Sequence, residues 1–314
     1  MKIVADLSAE VPDTNAFHFK LEELSEESGR TLFYGYNSAI STKSSEEEQV
    51  FFNNWSPCEF AQTKPDALSF DKTFDYVYTI CPFTARWLNE VNENNRYRYI
   101  FYPFNKSITP ETQEKKCDVI YHGGIHGVEH EDCLKTISKF NYRYVTMRHH
   151  INQRTIEHLH FGTDFDLPFA EKIKLVAQSK ASVCFNFVNN EPRHTQNIKS
   201  YPLWEKNEAF SEVDKWNVMP QFKTRFHEAA ISRTLNLCMK DSWNVVEDYY
   251  EPGKEFLYFE DMEELEEILD DVKHNWEDYK DIVEAAYLRA QDYTTENFVA
   301  IIKAGNQFWS GRDA

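Results

Sequence analysis

Short apolar runs rich in β-forming residues alternate with helix-like segments along the chain, and this alternation constrains the fold more than any other feature. Strands are predicted in the runs KIVADL, RTLFYGY, QVFFNNW, DYVYTIC and YRYIFYPFN, and further along in CDVIYHGG, YRYVTM, ASVCFNFV, NLCM and FLYFED. The segments FTARWLNEV, DCLKTISKF and MEELEEILDDVKHNW carry apolar residues at helical spacing. Because strands that alternate with helices usually pair in parallel, the pattern predicts an α/β protein.

A polar stretch without apolar periodicity, KSITPETQEKK, interrupts this alternation. It predicts a linker over residues 106–116, between an N-terminal domain of residues 1–105 and a C-terminal domain of residues 117–295. Residues 296–314 are predicted to form a C-terminal helix that could pack back on the N-terminal domain. A chain of 314 residues is long enough for two such domains.

The charge balance excludes one class of partner. The net charge of −18, from 52 acidic and 34 basic residues, argues against a general nucleic-acid binder, whose affinity comes largely from neutralised phosphates. A local basic cleft could still hold a small phosphorylated ligand.

The expected location is cytoplasmic. No run approaches the length of a membrane span, and the start MKIVADLSAEV meets polar residues too soon for a signal peptide. The six cysteines are scattered without a CxxC pair, so reduced thiols are expected.

The stretch FKTRFHEAAISRTLNLCMKD, residues 222–241, predicts a helix followed at once by a buried strand. Lys223 and Arg225 stand at the predicted helix start, where cationic side chains, backbone N–H groups and the helix dipole together suit a diphosphate. Glu228, one turn later, could accept hydrogen bonds from two adjacent ribose hydroxyls. The alternative is an amphipathic helix with exposed charges, and His227 has no assigned role in either interpretation.

A glycine pair, Gly123 and Gly124, follows the predicted strand DVIY. Glycines there allow the backbone to approach a phosphate closely, and they equally suit a tight strand-to-helix turn. His122, His126 and His130 repeat at four-residue spacing, as metal ligands on one helical face would. The intervening glycines make that face doubtful, so His126 is instead a candidate ligand contact beside the turn.

Asp164 and Asp166 form a DxD motif, which could hold a divalent cation because hard carboxylate oxygens suit Mg²⁺ or Mn²⁺. The motif leads into Leu167 and Pro168 at a predicted helix start. Helix capping by Asp166 is therefore the favoured interpretation.

A polar loop, beginning DSWNVVED, follows the predicted strand NLCM. In open α/β sheets ligands bind outside the carboxyl ends of the strands. Trp243, Asn244 and Glu247 of this loop are therefore candidate ligand contacts.

Several ordered blocks over about residues 117–300 resemble the C-terminal half of group 1 glycosyltransferases, closest to the spore-maturation-protein-like branch and its phage-type relatives. The family order is an arginine, an aromatic residue, a glutamate, small residues, an apolar strand, an acid and EPGKE. It is matched by Arg225, Phe226, Glu228, Ala229 and Ala230, the strand NLCM, Glu247 and EPGKEF. The run AQSKASVCFNFV, which contains Asn186, resembles the preceding family segment, and DVIYHGG resembles the family's opening strand and glycine turn.

This resemblance implies a GT-B architecture, in which two Rossmann-like domains face each other across a cleft. The C-terminal domain would bind a UDP- or GDP-sugar as co-substrate, with no cofactor and no metal required, and the N-terminal domain would bind the acceptor. Glu228 would bind the donor ribose, Arg225 and Lys223 the diphosphate, and Gly123 and Gly124 the phosphates. The remaining residues assigned to the donor site are His126, Asn186, Trp243, Asn244 and Glu247.

The resemblance has one departure, since the earlier glutamate of many group 1 enzymes has no counterpart in the window WNVMPQFK. Asp6 and His18 are provisional candidates for a catalytic base. Glycan, lipid-linked sugar, protein and modified nucleobase all stay open as acceptors, as do retention and inversion. Two other functions also stay open: a sugar-nucleotide epimerase of the same fold and a non-catalytic nucleotide-sugar-binding module.

Overall fold

The structure is a computed structural model that describes residues 2–5, 30–34, 48–53, 65–125, 127–148, 163–189 and 218–308. The chain divides into two compact units. Unit 1 contains Met1–Asn105, Phe187–Phe222 and Tyr293–Ala314, and unit 2 contains Lys106–Asn186 and Lys223–Asp292. The chain therefore leaves unit 2 after Asn186 and returns to it at Lys223, an excursion that the predicted boundaries lack.

Strands and helices alternate as the sequence predicts. The strands are β1 Lys2–Ala5, β2 Arg30–Tyr34, β3 Glu48–Asn53, β4 Tyr76–Thr79, β5 Tyr97–Tyr99, β6 Cys117–His122, β7 Tyr142–Thr146, β8 Thr163–Phe165, β9 Ser179–Cys184, β10 Phe187–Asn189, β11 Val218–Pro220, β12 Leu235–Met239 and β13 Leu257–Phe259. The α-helices are α1 Pro82–Val91, α2 Val128–Ile137, α3 Phe169–Ala177, α4 Thr224–Ile231, α5 Met262–His274, α6 Lys280–Ala290 and α7 Thr295–Ala304. Short 3₁₀ helices join several of them, including Val245–Asp248.

Unit 1 contains a parallel five-stranded sheet with the order β1-β2-β3-β4-β5 and a separate antiparallel pair, β10 and β11. Phe51, Phe70 and Phe74 pack together in its core, with ring centroids 4.9–5.8 Å apart. Helix α7 belongs to this unit: Arg30 Nη1 donates to the carbonyl oxygens of Ile302 and Lys303, at 2.6 and 2.7 Å, and so caps the end of α7.

Unit 2 contains a six-stranded parallel sheet with the order β13-β12-β9-β6-β7-β8. The chain enters this sheet at the central strand β6, adds β7 and β8 on one side, and then returns to add β9, β12 and β13 on the other side. This is the order of a doubly wound sheet. The central strand β6 is buried along all six of its residues. The predicted α/β class with parallel sheets is therefore confirmed.

Helices cover both faces of the sheet in unit 2. Helices α3 and α4 lie on one face, where Val176 and Ala229 pack on Ile120 of β6, and α2 and α5 pack against each other on the opposite face. Helix α5 buries Leu265, Leu269 and Val272 and exposes most of its acidic side chains, as its sequence predicts.

Lys115, within the predicted linker, holds two helix ends at the amino edge of this sheet. Its Nζ donates to the carbonyl oxygens of Ala177 and Arg233, at 2.9 and 2.6 Å. No helix in the described ranges combines the length and the apolar character that crossing a lipid bilayer would require.

Candidate functional site

The switch point of unit 2 lies between β6 and β9, the neighbouring strands from which the chain proceeds in opposite directions. Ligands of doubly wound sheets bind in the crevice at the carboxyl ends of such strands. At this point β6 ends at His122, just before the glycine pair, and β9 leads into Asn186. The sequence-predicted residues that follow these two strands therefore share one edge of the sheet.

The glycine turn and Arg225 are in direct contact. Gly123 has φ +142°, and a Cβ added to it would overlap the guanidinium of Arg225, with 2.6 Å to Nη1. Arg225 Nη1 donates to Tyr121 Oη at 3.0 Å, and the guanidinium lies over the Tyr121 ring at 5.4 Å. Tyr121 Oη in turn donates to the Gly124 carbonyl oxygen at 2.9 Å. Glycine is required at position 123 both for its backbone conformation and for this close approach.

Helix α4 begins at the same edge. Lys223 occupies its N-cap position without a side-chain cap, and no acidic residue stands in the first turn. The partial positive charge of the helix start is therefore not reduced by a local carboxylate. With Lys223 and Arg225 in the same turn, this is an environment that favours an anion.

Glu228 lies on α4 in a buried polar cluster. Lys172 Nζ, from α3, is 2.9 Å from Glu228 Oε1 and 2.8 Å from Oε2. His122 Nδ1 is 3.0 Å from Oε2, and His122 Nε2 is 3.1 Å from Ser182 Oγ. A neutral imidazole satisfies both contacts if Nδ1–H donates to the carboxylate and Nε2 accepts from the serine hydroxyl.

The electrostatics of this cluster fix its charges. Burial opposes ionisation of Glu228, but Lys172 and the hydrogen bond from His122 outweigh it and hold the pKa of the carboxyl well below its usual range. Burial lowers the pKa of His122, against the opposing effect of Glu228. At neutral pH the cluster thus contains an ammonium, a carboxylate and a neutral imidazole, and is neutral overall.

Asn186, which follows β9, links this strand to the start of α4 and to β12. Its Oδ1 accepts from the backbone N–H of Lys223 at 2.9 Å, and its Nδ2 donates to Cys238 Sγ of β12 at 3.2 Å. The side chain is fully buried. Asn186 therefore positions the start of α4 against the ends of β9 and β12.

The loop after β12 is also at the carboxyl edge. Asp241 Oδ1 accepts from the backbone N–H groups of Trp243 and Asn244, at 2.8 and 2.7 Å, which orders the turn. Asn244 adopts a left-handed conformation with φ 47°, and Trp243 is buried. Glu247 Oε1 accepts from Tyr258 Oη at 2.9 Å.

His227 is fully buried behind the site, and its Nδ1 lies 2.7 Å from Tyr250 Oη. The ring also contacts Tyr249, with centroids 5.8 Å apart. The residue that the sequence leaves without a role thus ties α4 to the segment that follows the Val245–Asp248 helix.

The DxD motif does not cap a helix, and that interpretation is wrong. Asp164 lies within β8, and Asp166, at φ 53°, accepts from the backbone N–H of Arg148 at 3.0 Å. Pro168 occupies the N-cap position of α3. Of the four-residue histidine series, His122 and His130 are both buried, and no group of three or more possible metal-ligating side chains occurs within the described ranges.

Three of the predicted site residues, Asp6, His18 and His126, lie outside the described residues. The structure also adds three side chains that the sequence did not single out, Tyr121, Lys172 and Ser182. None has a local motif around it, and only the pairing of strands and the packing of α3 beside α4 bring them to the site.

The comparisons with known proteins agree with this geometry. Residues 167–303 match the model of a family described as glycosyl transferase-like, and no curated protein matches the chain by sequence. Among solved structures, HepE of Anabaena, in complex with UDP and glucose, superposes with a TM-score of 0.61 at 12% identity, over 87% of this chain and 77% of HepE.

Two further structures are similar. TarM of S. aureus, in a complex that includes UDP, has a TM-score of 0.59 at 12% identity, over 92% of this chain and 57% of TarM. Sucrose-phosphate synthase of Thermosynechococcus elongatus has a TM-score of 0.56 at 11% identity, over 88% of this chain and 72% of the synthase. Residues 167–303 are therefore similar to the glycosyl transferase-like family, in agreement with the resemblance noted in the sequence, and the chain has the predicted GT-B fold.

Proposed function

We propose that the protein is a glycosyltransferase that moves a sugar from a nucleotide-sugar donor, with UDP as the nucleotide, to an acceptor. The observation that carries the proposal is the convergence of Arg225, the Gly123 turn, the start of α4 and the Glu228 cluster at the switch point of unit 2. The family match of residues 167–303 and the UDP complexes of HepE and TarM support it.

Arg225 and Lys223 neutralise the donor diphosphate. Two cationic side chains and a helix start together suit the two negative charges of a bound diphosphate and stabilise the charge that develops on it as the sugar leaves. The backbone of Gly123 and Gly124 lies beside the phosphates. In this arrangement the chain's own cations stabilise the leaving group, so transfer proceeds without a metal ion.

The other predicted contacts surround this centre. Glu228 binds the ribose hydroxyls, Trp243, Asn244 and Glu247 line the donor site from the loop after β12, and Asn186 holds the start of α4. His126 contacts the donor beside the glycine turn, and Asp6 and His18 remain candidates for the catalytic base. The proposed domains are those predicted from the sequence, with the excursion of Phe187–Phe222 assigned to the N-terminal one.

Donor binding is tested by thermal shift and calorimetry with UDP, UDP-sugars, GDP-sugars and ADP-sugars, each with and without Mg²⁺ or a chelator. A ligand at about 100 times its Kd stabilises a protein by about 2.7 kcal/mol, which is readily measured. Arg225→Ala should weaken UDP binding by about 2–5 kcal/mol, because it removes a cation from a desolvated charge pair. Glu228→Ala should weaken it as well.

The matched controls are Arg143→Ala, at the amino end of β7, and Glu267→Ala, on the exposed face of α5, which should both bind UDP as the wild type does. If no nucleotide shifts the melting curve of the wild-type protein, the proposed function fails at its first step. Mass spectrometry of reactions with glycan, lipid-linked sugar, protein and nucleobase acceptors then identifies the product. Interconversion of the donor would instead indicate an epimerase, and binding without turnover a binding module.

A further inference from the structure

We infer that Lys172 is a specificity residue that contacts the ribose hydroxyls of the donor, so that the ribose is recognised by a lysine–glutamate pair. This inference rests on the proposed function, since it concerns the same donor site. It assigns a substrate contact to a residue of α3, outside the Lys223–Glu228 stretch.

The two side chains of the pair differ in their exposure to solvent. Only 5% of the Glu228 side chain is accessible to solvent, compared with 23% of the Lys172 side chain. The ammonium of Lys172 lies within 2.9 Å of both carboxylate oxygens and so covers the carboxylate. A ligand that hydrogen-bonds to Glu228 would therefore lie next to Lys172 Nζ.

The ammonium is held in place by its surroundings. Lys172 lies in the first turn of α3, which is anchored in the core by Ile173 and Val176. Its Nζ also lies over the Phe169 ring, 4.4 Å from the centroid. A lysine fixed from two sides loses less conformational entropy on binding a ligand than a freely rotating surface lysine does.

The chemistry of the pair matches that of a hydroxyl group. A carboxylate only accepts hydrogen bonds and an ammonium only donates them, whereas a hydroxyl does both. Two of the three ammonium N–H groups suffice for Oε1 and Oε2, which leaves the third to donate to a hydroxyl oxygen. The same hydroxyl can donate to Glu228, so the pair satisfies both of its hydrogen-bonding functions.

Such a pair should reject a sugar that lacks the hydroxyls. Sites built to hydrogen-bond a hydroxyl discriminate strongly against analogues without it, because their buried polar groups are left unpaired. Lys172→Met also leaves Glu228 without its cation, and Glu228 itself binds the ribose hydroxyls, so the loss of charge alone can change the preference in that variant. An arginine supplies the same charge with a different donor geometry, so a role confined to neutralising Glu228 predicts that Lys172→Arg keeps the whole preference. The ratio of affinities for UDP and 2′,3′-dideoxy-UDP in Lys172→Arg therefore separates contact with the ribose from simple charge compensation.

The experiment measures both Kd values by calorimetry for the full-length wild type, Lys172→Met, Lys172→Arg and the control Lys174→Met, which changes an exposed lysine on the same helix. The wild type should prefer UDP about 10- to 100-fold, the range expected for a hydrogen bond to a charged group. Lys172→Met should reduce this preference at least about fivefold, mainly because the variant binds UDP more weakly. Lys172→Arg should keep part of the preference, and Lys174→Met should keep all of it.

The inference would be overturned, with the proposed function left intact, if Lys172→Met weakened the binding of both nucleotides equally or changed neither. It would also be overturned if Lys172→Arg kept the whole preference for UDP. Failure of the wild type to bind UDP would remove the proposed function itself. If Lys172→Met does not fold, as judged by near-ultraviolet circular dichroism, Lys172→Arg decides the question, because its displaced cation should alter the ratio only if residue 172 contacts the ribose.

Discussion

Replacement of Gly123 by alanine combines two effects that the chain allows to be separated. The backbone at Gly123 has φ +142°, which an alanine adopts only with strain. The new methyl group would also overlap the guanidinium of Arg225 and force it to move. Gly253 provides a matched control, because it has φ +77° with no atom within 4 Å of an added Cβ.

The expected magnitudes follow from these two environments. Strain at a left-handed position costs about 1–3 kcal/mol, and this term alone applies to Gly253→Ala. Overpacking adds about 1–3 kcal/mol, so Gly123→Ala should lower the free energy of unfolding by about 2–6 kcal/mol. It should also weaken UDP binding, because the displaced Arg225 loses its hydrogen bond to Tyr121 Oη.

Urea denaturation of both single variants, of Arg225→Ala and of the double variant Gly123→Ala/Arg225→Ala measures these terms. In the double variant the methyl group has room, so the destabilisation caused by Gly123→Ala should fall to the strain term alone. This expectation is refuted if Gly123→Ala lowers the free energy of unfolding no more than Gly253→Ala does, or by the same amount with and without Arg225. The destabilisation would then not come from contact between the guanidinium and residue 123.

Three further perturbations test other contacts. Tyr121→Phe removes the hydroxyl that accepts from Arg225 and donates to Gly124, and calorimetry should show UDP binding weakened by about 0.5–1.5 kcal/mol, with Tyr144→Phe as the control. Burial and the nearby Arg233 cation lower the pKa of Lys115 from 10.5 to about 7. Between these pH values the unfolded chain binds more protons, so this lysine makes the free energy of unfolding rise by up to about 1.4 kcal/mol per pH unit. Lys115→Met should remove that slope in urea titrations at pH 7–10. An unchanged slope would mean that other titratable groups cause it. Asp261→Ala removes the N-cap that accepts from Glu263 and Glu264 of α5 and should cost about 1 kcal/mol in urea denaturation, whereas Asp270→Ala on the same helix should cost little.

The fold was predictable where the elements are long enough to show a period. The strand before Gly123 and the amphipathic helix Met262–His274 both follow directly from residue patterns. The three-residue strands β8 and β11 were missed, and β10 was predicted as the end of the run ASVCFNFV and not as a separate strand. The strands β5 and β13 are as short but lie within longer apolar runs, which made them visible in the sequence. The DxD interpretation failed because a left-handed backbone at Asp166 directs the chain away from a capping geometry, which residue type alone does not reveal.

The candidate site was predictable where its residues are close in sequence. Lys223, Arg225 and Glu228 lie within six positions, so the start of α4 alone suggested them. Lys172 is 56 positions before Glu228, and its helix is an ordinary amphipathic segment by sequence. Its contact with the carboxylate depends on the packing of two helices on one face of the sheet, which no local pattern encodes.

The hydrogen bond from Lys223 N–H to Asn186 Oδ1 joins the two points at which the chain leaves and re-enters unit 2. The chain between Asn186 and Lys223 therefore begins and ends at the same edge of the sheet. The entropy of closing a flexible loop grows only logarithmically with its length, by about 0.6 kcal/mol for each doubling. A change in the length of the chain between these two residues should therefore cost little closure energy, provided that the hydrogen bond at the start of α4 is kept.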